Sequence, residues 1–215
     1  EDESLADLLI WLFIQEKNFE AAFEQEKAMD KRLNLDQRKL FVLASICRKN
    51  KAFTTAEKSY AYIIALGTSS PYYLDAQTAL LSVKKELLEA QPKASTEAWL
   101  LLEQDYLRSF SSLGKTSYTI LQMRDLAKIQ AFNLYDLSKA SATITEALSI
   151  NTASNEDLAQ CKLVYADILL LQNEIWDSIL YYSQVDKAYK HDVLGHEAKF
   201  RRAKISYYQG DFDWA

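Results

Sequence analysis

Between residues 37 and 66 the apolar positions fall into two short helical runs separated by a polar break. Leu40, Leu43 and Ala44 recur three and four residues apart, and Ala56, Tyr60 and Ile63 follow on the far side of Arg48-Lys49-Asn50-Lys51. Spacing of three and four predicts amphipathic helices rather than strands. With so short a break, the two helices must fold back on one another as a hairpin. Ala44 and Ala56 then mark the point of closest approach, where only a small side chain lets two antiparallel helices touch.

The same arrangement recurs along the chain. Starting at Glu3 instead of Gln37, a shift of 34 residues, puts Leu9 at position 7, Phe13 at 11, Phe19 at 17 and Ala22 at 20, with Asn18 and Phe19 at the turn. Ile10 at position 8 and Glu26 at position 24 depart from the pattern, where the next unit has Ala44 and Tyr60. Ala127 and Ala140 are the expected crossing pair of a unit over about 120–153. They are one residue further apart than Ala44 and Ala56, which predicts a longer interhelix turn. A unit over 159–195 has Ala166, Ser178, Tyr182 and Val185, preceded by Ser154 as N-cap with Asp157 three residues on. In a last, incomplete unit from His196, Ala203, Gly210, Phe212 and Ala215 take positions 8, 15, 17 and 20. Gly210 suits a turn that needs positive φ.

Residues 71–114 differ. Ser70 reads as an N-cap with Pro71 as the first helical residue. Tyr73, Ala76, Leu80, Val83, Leu87 and Leu88 continue to Pro92. A second helix from Ser95 or Thr96 carries Trp99, Leu102, Tyr106 and Phe110 as far as Gly114. Without the paired small residues, this stretch is expected to be a long, divergent hairpin.

The small and aromatic residues at positions 8, 20 and 24 of a 34-residue unit resemble the tetratricopeptide repeat (TPR) family. QGDFDWA, residues 209–215, is among the most specific of these marks. The resemblance implies an all-α fold, a right-handed α-α superhelix of antiparallel helix pairs forming one array over residues 1–215. It also implies that positions 2, 5, 9, 12 and 13 of the first helices line a concave face. Those positions include Asp7 and Trp11 in the first repeat and Arg38, Phe41, Arg48 and Lys49 in the second. The fifth contributes Asp167, and the last contributes Phe200 and Lys204. Leu170, Leu171 and Tyr207 also fall there, with packing against a neighbouring helix as their competing role. The TPR domains that clamp acidic chaperone tails carry Lys and Asn at positions 5 and 9 of the first repeat. Asp7 and Trp11 stand there in this chain, so that reading is unsupported.

Composition supports the helical reading and narrows the chemistry. Only four Gly and two Pro occur in 215 residues, none of them within 1–66 or 115–194, too few turn residues for a β-rich fold. A formal charge of −5 argues against a surface that tracks nucleic-acid phosphates. No run of 18 apolar residues suggests a transmembrane segment, and no signal-like segment opens the chain. Cys47 and Cys161 lie in distant repeats and are expected to be unpaired core residues. His191 and His196 lack a third ligand partner, and no phosphate loop, nucleophile elbow or HExxH occurs. We therefore expect no catalytic site, no metal and no cofactor.

These features predict a non-catalytic scaffold that binds a protein or peptide, with Arg38, Arg48 and Lys49 available to an acidic segment. A carbohydrate-binding protein of the bacterial envelope is the alternative, stacking sugars on Trp11, Trp99, Trp176 and Trp214. The overall resemblance to secreted bacterial TPR proteins favours a periplasmic or envelope setting over the cytoplasm. Because the sequence stops at position 20 of a repeat, Phe200, Ile205 and Tyr208 are expected to be partly uncovered, awaiting either further repeats or a second copy. The pattern leaves the oligomeric state open.

Overall fold

The computed structural model describes residues 3–212, all helix, turn and loop without a strand among them. The chain divides into two compact units, residues 1–94 and 95–215.

The first unit contains α1 (Glu3–Gln15), α2 (Phe19–Leu33), α3 (Arg38–Lys49), α4 (Phe53–Ala65), a 3₁₀ turn (Gly67–Ser69) and α5 (Tyr73–Glu89). Helices α1 and α2 form one hairpin and α3 and α4 a second; α2 packs on α3, and α5 on α4. Ala44 and Ala56 are fully buried, as expected at the crossing, with Leu40, Cys47, Tyr60 and Ile63 around them. In the first repeat, Ile10 rather than Leu9 enters the core. Leu9 is exposed, and α1 makes its main packing contact with α2. Helix α5 starts two residues later than Pro71, because Gly67–Ser69 and the turn after it use the intervening residues. The Ser70 hydroxyl accepts from the Tyr72 N–H at 3.3 Å within that turn.

The second unit contains α6 (Thr96–Leu113), α7 (Ile120–Lys128) running into a π-helical turn (Ile129–Asn133), α8 (Leu137–Leu148), α9 (Asn155–Leu171), α10 (Ile175–Ala188) and α11 (Val193–Gln209). The stretch expected as one divergent hairpin is thus shared out: α5 packs in the first unit, while α6 packs on α7 and the π turn. Ser95 and Ser154 cap α6 and α9 through their hydroxyls, at 3.2 Å from the Ala98 N–H and 3.0 Å from the Asp157 N–H. Helix α11 begins at Val193, three residues before His196. Gly195 makes this possible, since a Cβ there would lie 2.0 Å from the Tyr189 carbonyl oxygen.

Several helix ends pass through a left-handed residue. Lys17, Lys51, Tyr135, Asn173 and Gly210 all have φ between 57° and 79°. The residue after each donates its N–H back across the end of the first helix: Asn18 to Phe13, Ala52 to Cys47, Glu174 to Leu169 and Asp211 to Ser206, at 2.8–2.9 Å. This is the Schellman closure, which satisfies carbonyls left open at a helix end. Asp136 instead reaches back six residues, to Gln130, because the π turn holds one extra residue. The longer spacing of Ala127 and Ala140 is therefore absorbed inside the first helix. The interhelix loop keeps three residues, as it does after α3 and α9.

Candidate functional site

In the second unit α7, α9 and α11 border a groove of about 740 Å³. Its apolar lining comes from Phe132, Leu170, Leu171, Ile175, Phe200 and Ile205, and its polar lining from Lys128, Asp167, Glu197, Arg201 and Lys204. Three of the expected binding residues, Asp167, Phe200 and Lys204, meet here. Leu170 and Leu171 are also exposed on this surface rather than sealed against a neighbour.

The charges in this groove are partly neutralised from within. Tyr182, buried on α10, donates its hydroxyl to Asp167 at 2.5 Å, and Arg201 pairs with the other oxygen of that carboxylate. Arg201 also reaches Glu197 at 2.8 Å. Burial, reinforced by the adjacent Asp167, holds the Tyr182 phenol well above the usual tyrosine range. Lys204 lies over the Phe200 ring at 4.6 Å, and Lys128 is exposed. Both lysines are exposed and line the apolar trough.

The first unit carries a smaller groove of about 400 Å³ between α1 and α3, walled by Trp11, Ile14, Val42 and Ile46. Asp7, Trp11 and Arg38 meet in it, and Lys39 binds Asp7 at 2.8 Å and Glu3 at 3.4 Å. Glu26 of α2 also lines this groove although only 3% of it is exposed. Burial pushes its carboxyl up to about 7, opposed by Lys39 and assisted by Asp7, Asp30 and Glu3.

The remaining expected residues lie elsewhere. Arg48 forms a bidentate pair with Glu86, at 2.6–3.1 Å, that ties α3 to α5. Phe41 is half-buried between Tyr60 and Tyr72, with ring centres at 5.4 Å and 5.2 Å. Lys49 is exposed at the end of α3. Arg38, Arg48 and Lys49 thus do not act as one open basic cluster. Sequence reasoning missed Lys128, Phe132 and Arg201. Lys128 occupies position 9 of its repeat, but the extra residue in the π turn blurs the register just beyond it.

Trp11 is 54% exposed and Trp176 81% exposed, whereas Trp99 is buried; Trp214 lies outside the described residues. Ala215, expected at a helix crossing, also lies outside them. Of the apolar residues expected to be uncovered on the last helix, Phe200 and Tyr208 are exposed. Ile205 is buried, because it joins the core cluster with Ala198, Tyr182 and Val185. Cys47 and Cys161 are buried free thiols, raised by burial to about 11 and about 12, so neither is a ready nucleophile. His191 and His196 are exposed. Among the described residues no group of three or more His, Cys, Asp and Glu could hold a metal ion. No described helix is long and apolar enough to cross a membrane.

No family model matches the chain, and no curated protein matches it. The fold is nonetheless similar to a solved one, the crystal structure of a thermophilic TPR protein from Thermus thermophilus. That match has a TM-score of 0.62 at 16% identity, covering 94% of this chain and 98% of the other. The chain has a TPR-like, all-α helical-repeat fold.

Proposed function

We propose that this TPR-like chain is a non-catalytic interaction scaffold, and that the groove bordered by α7, α9 and α11 seats a peptide segment of a protein partner. The observation that carries this reading is the composition of the groove. An open apolar trough formed by Phe132, Leu170, Leu171 and Phe200 is flanked by the ammonium groups of Lys128 and Lys204. Arg201 has its own carboxylates in Asp167 and Glu197, so the two lysines are the cations left for a ligand. A segment with aliphatic or aromatic anchors and neighbouring Asp or Glu matches that surface.

Selection of peptides from a displayed random library tests it. The intact chain should enrich sequences that combine apolar anchors with acidic neighbours, and the double reversal Lys128→Glu, Lys204→Glu should lose them. Enrichment of the same sequences by the reversed variant would overturn the assignment.

A second reading is favoured by one observation, the exposure of Trp11 and Trp176. Exposed indole faces suit stacking on sugar rings. Saturable quenching of tryptophan fluorescence across a glycan panel, lost in Trp11→Ala or Trp176→Ala, would support it. A flat response across the panel would remove it.

A further inference from the structure

The first repeat inverts an arrangement that two other repeats share. In the second repeat the buried Tyr60, at position 24, has its hydroxyl 3.1 Å from Ser45 at position 9. In the fifth, the buried Tyr182 at position 24 donates to Asp167 at position 9. An aromatic ring thus fills the floor, and its hydroxyl meets a polar group on the groove. In the first repeat the aromatic residue, Trp11, stands at the groove position, and the carboxyl of Glu26 takes the floor. No hydroxyl is left to donate to that carboxyl, and Glu26 has no hydrogen-bond donor among the described residues.

The charged groups around Glu26 do not complete it. Glu3 and Asp7 face it from α1, Asp30 from its own helix and Lys39 from α3, while Arg38 lines the same groove at the surface. Lys39 is already bonded to both Asp7 and Glu3. Asp30 is held by the Gln37 side chain and the Tyr62 hydroxyl, at 3.0 Å and 2.9 Å. An ionised Glu26 therefore lacks a cation of its own. A buried carboxylate of this kind is stabilised chiefly by a paired, hydrogen-bonded cation.

We propose that the groove between α1 and α3 receives one basic side chain of a partner protein, its cationic head on Glu26 and its aliphatic stem against Trp11, Ile14 and Val42. This rests on the scaffold reading above but uses a separate surface. Charge complementarity chooses the occupant: an apolar slot with an unpaired carboxyl at its base accepts an alkyl cation and rejects a neutral or anionic tip. The exposed indole of Trp11 adds attraction for the same head group. Binding requires Glu26 to ionise, so the ligand takes the place of a proton.

The test is a titration of the 215-residue chain followed by the Trp11 indole N–H resonance, assigned by comparison with Trp11→Phe. The probes are butylammonium, 1-butanol and the peptides acetyl-Ala-Lys-Ala-amide and acetyl-Ala-norleucine-Ala-amide. Butylammonium and the lysine peptide should shift the resonance saturably. Their affinity should tighten about tenfold between pH 6 and pH 8, as a carboxyl titrating near 7 gives up its proton. Butanol and the norleucine peptide should not shift it, and Glu26→Gln should abolish both the shift and its pH dependence. An equal response to butanol, a pH-independent affinity in the unaltered chain, or retained binding in Glu26→Gln would overturn the proposal. Binding of butylammonium without the lysine peptide would overturn a protein source for the cation. The pH profile of the unaltered chain decides the matter even if Glu26→Gln folds poorly. Failure here leaves the peptide-selection result, which reads the groove of the other unit, untouched.

Discussion

The two grooves share a framework and differ in how they handle a polar group at the base. In the second unit the Tyr182 hydroxyl and Arg201 hold Asp167, so the polar floor is complete and the lining left over is apolar and basic. In the first unit Glu26 sits at the place of that tyrosine, desolvated and without a donor. One groove therefore presents an apolar and basic lining, and the other a buried carboxyl. Positions 9 and 24 thus exchange their aromatic and polar residues between the two repeats.

The largest expected effect separates the grooves by pH. The carboxyl of Glu26 is raised in the folded state, so the folded chain holds that proton more tightly than the unfolded chain does. The associated stability is fully present below about pH 4.5 and is lost as pH rises through about 7. The loss should amount to up to about 3 kcal/mol, and Glu26→Gln should flatten that part of the profile, as read by urea denaturation between pH 4 and pH 8. An unchanged slope in the variant would mean that Glu26 is not desolvated.

Next in size is the contrast between the two floor tyrosines. Tyr182→Phe removes a donor to a carboxylate and should cost about 1.5–3 kcal/mol, whereas Tyr60→Phe removes a contact with the neutral Ser45 and should cost about 0.5–1.5 kcal/mol. Equal losses in thermal denaturation would contradict the charged network drawn around Asp167.

Overpacking the helix crossings should affect both units alike. Ala44→Leu and Ala166→Leu each replace a residue with no exposed surface, and each should cost about 1–3 kcal/mol. A neutral outcome in either unit would displace its repeat register.

The smallest effect is a gain. Lys51 closes its helix pair at φ 61°, where glycine ends α11 at Gly210 with φ 79°. Lys51→Gly should relieve the left-handed strain and stabilise by up to about 1 kcal/mol, visible as a higher midpoint of thermal unfolding. A lowered midpoint would mean that the lysine side chain contributes more than its backbone costs.

Much of the framework could be read from residue spacing, because close helix crossings require small side chains. Ala44, Ala56, Ala127, Ala140 and Ala166 were legible for that reason, and the cap at Ser154 was legible from its residue type and Asp157 three residues on. The left-handed turn was legible only at Gly210. Lys17, Lys51 and Tyr135 adopt the same conformation without a residue type that announces it. The π turn left only a one-residue irregularity, which a longer loop would have explained equally well.

The grooves were legible in part. Asp167, Phe200 and Lys204 converge as repeat geometry implies, and so do Asp7, Trp11 and Arg38. The Arg48 pair with Glu86, 38 residues away, depends on how α5 packs, which lies beyond any local pattern. Glu26 stood out as a departure from the repeat, but only the packed structure identifies it as a buried carboxyl.

The most direct measurement of the scaffold claim is photo-crosslinking with a peptide selected by the intact chain. Benzoylphenylalanine would replace Phe200, inside the groove of the second unit, or Trp176, exposed but outside its lining. The account requires efficient crosslinking from position 200, abolished by Lys128→Glu with Lys204→Glu, and none from position 176. Crosslinking from position 176 with none from position 200 would contradict it.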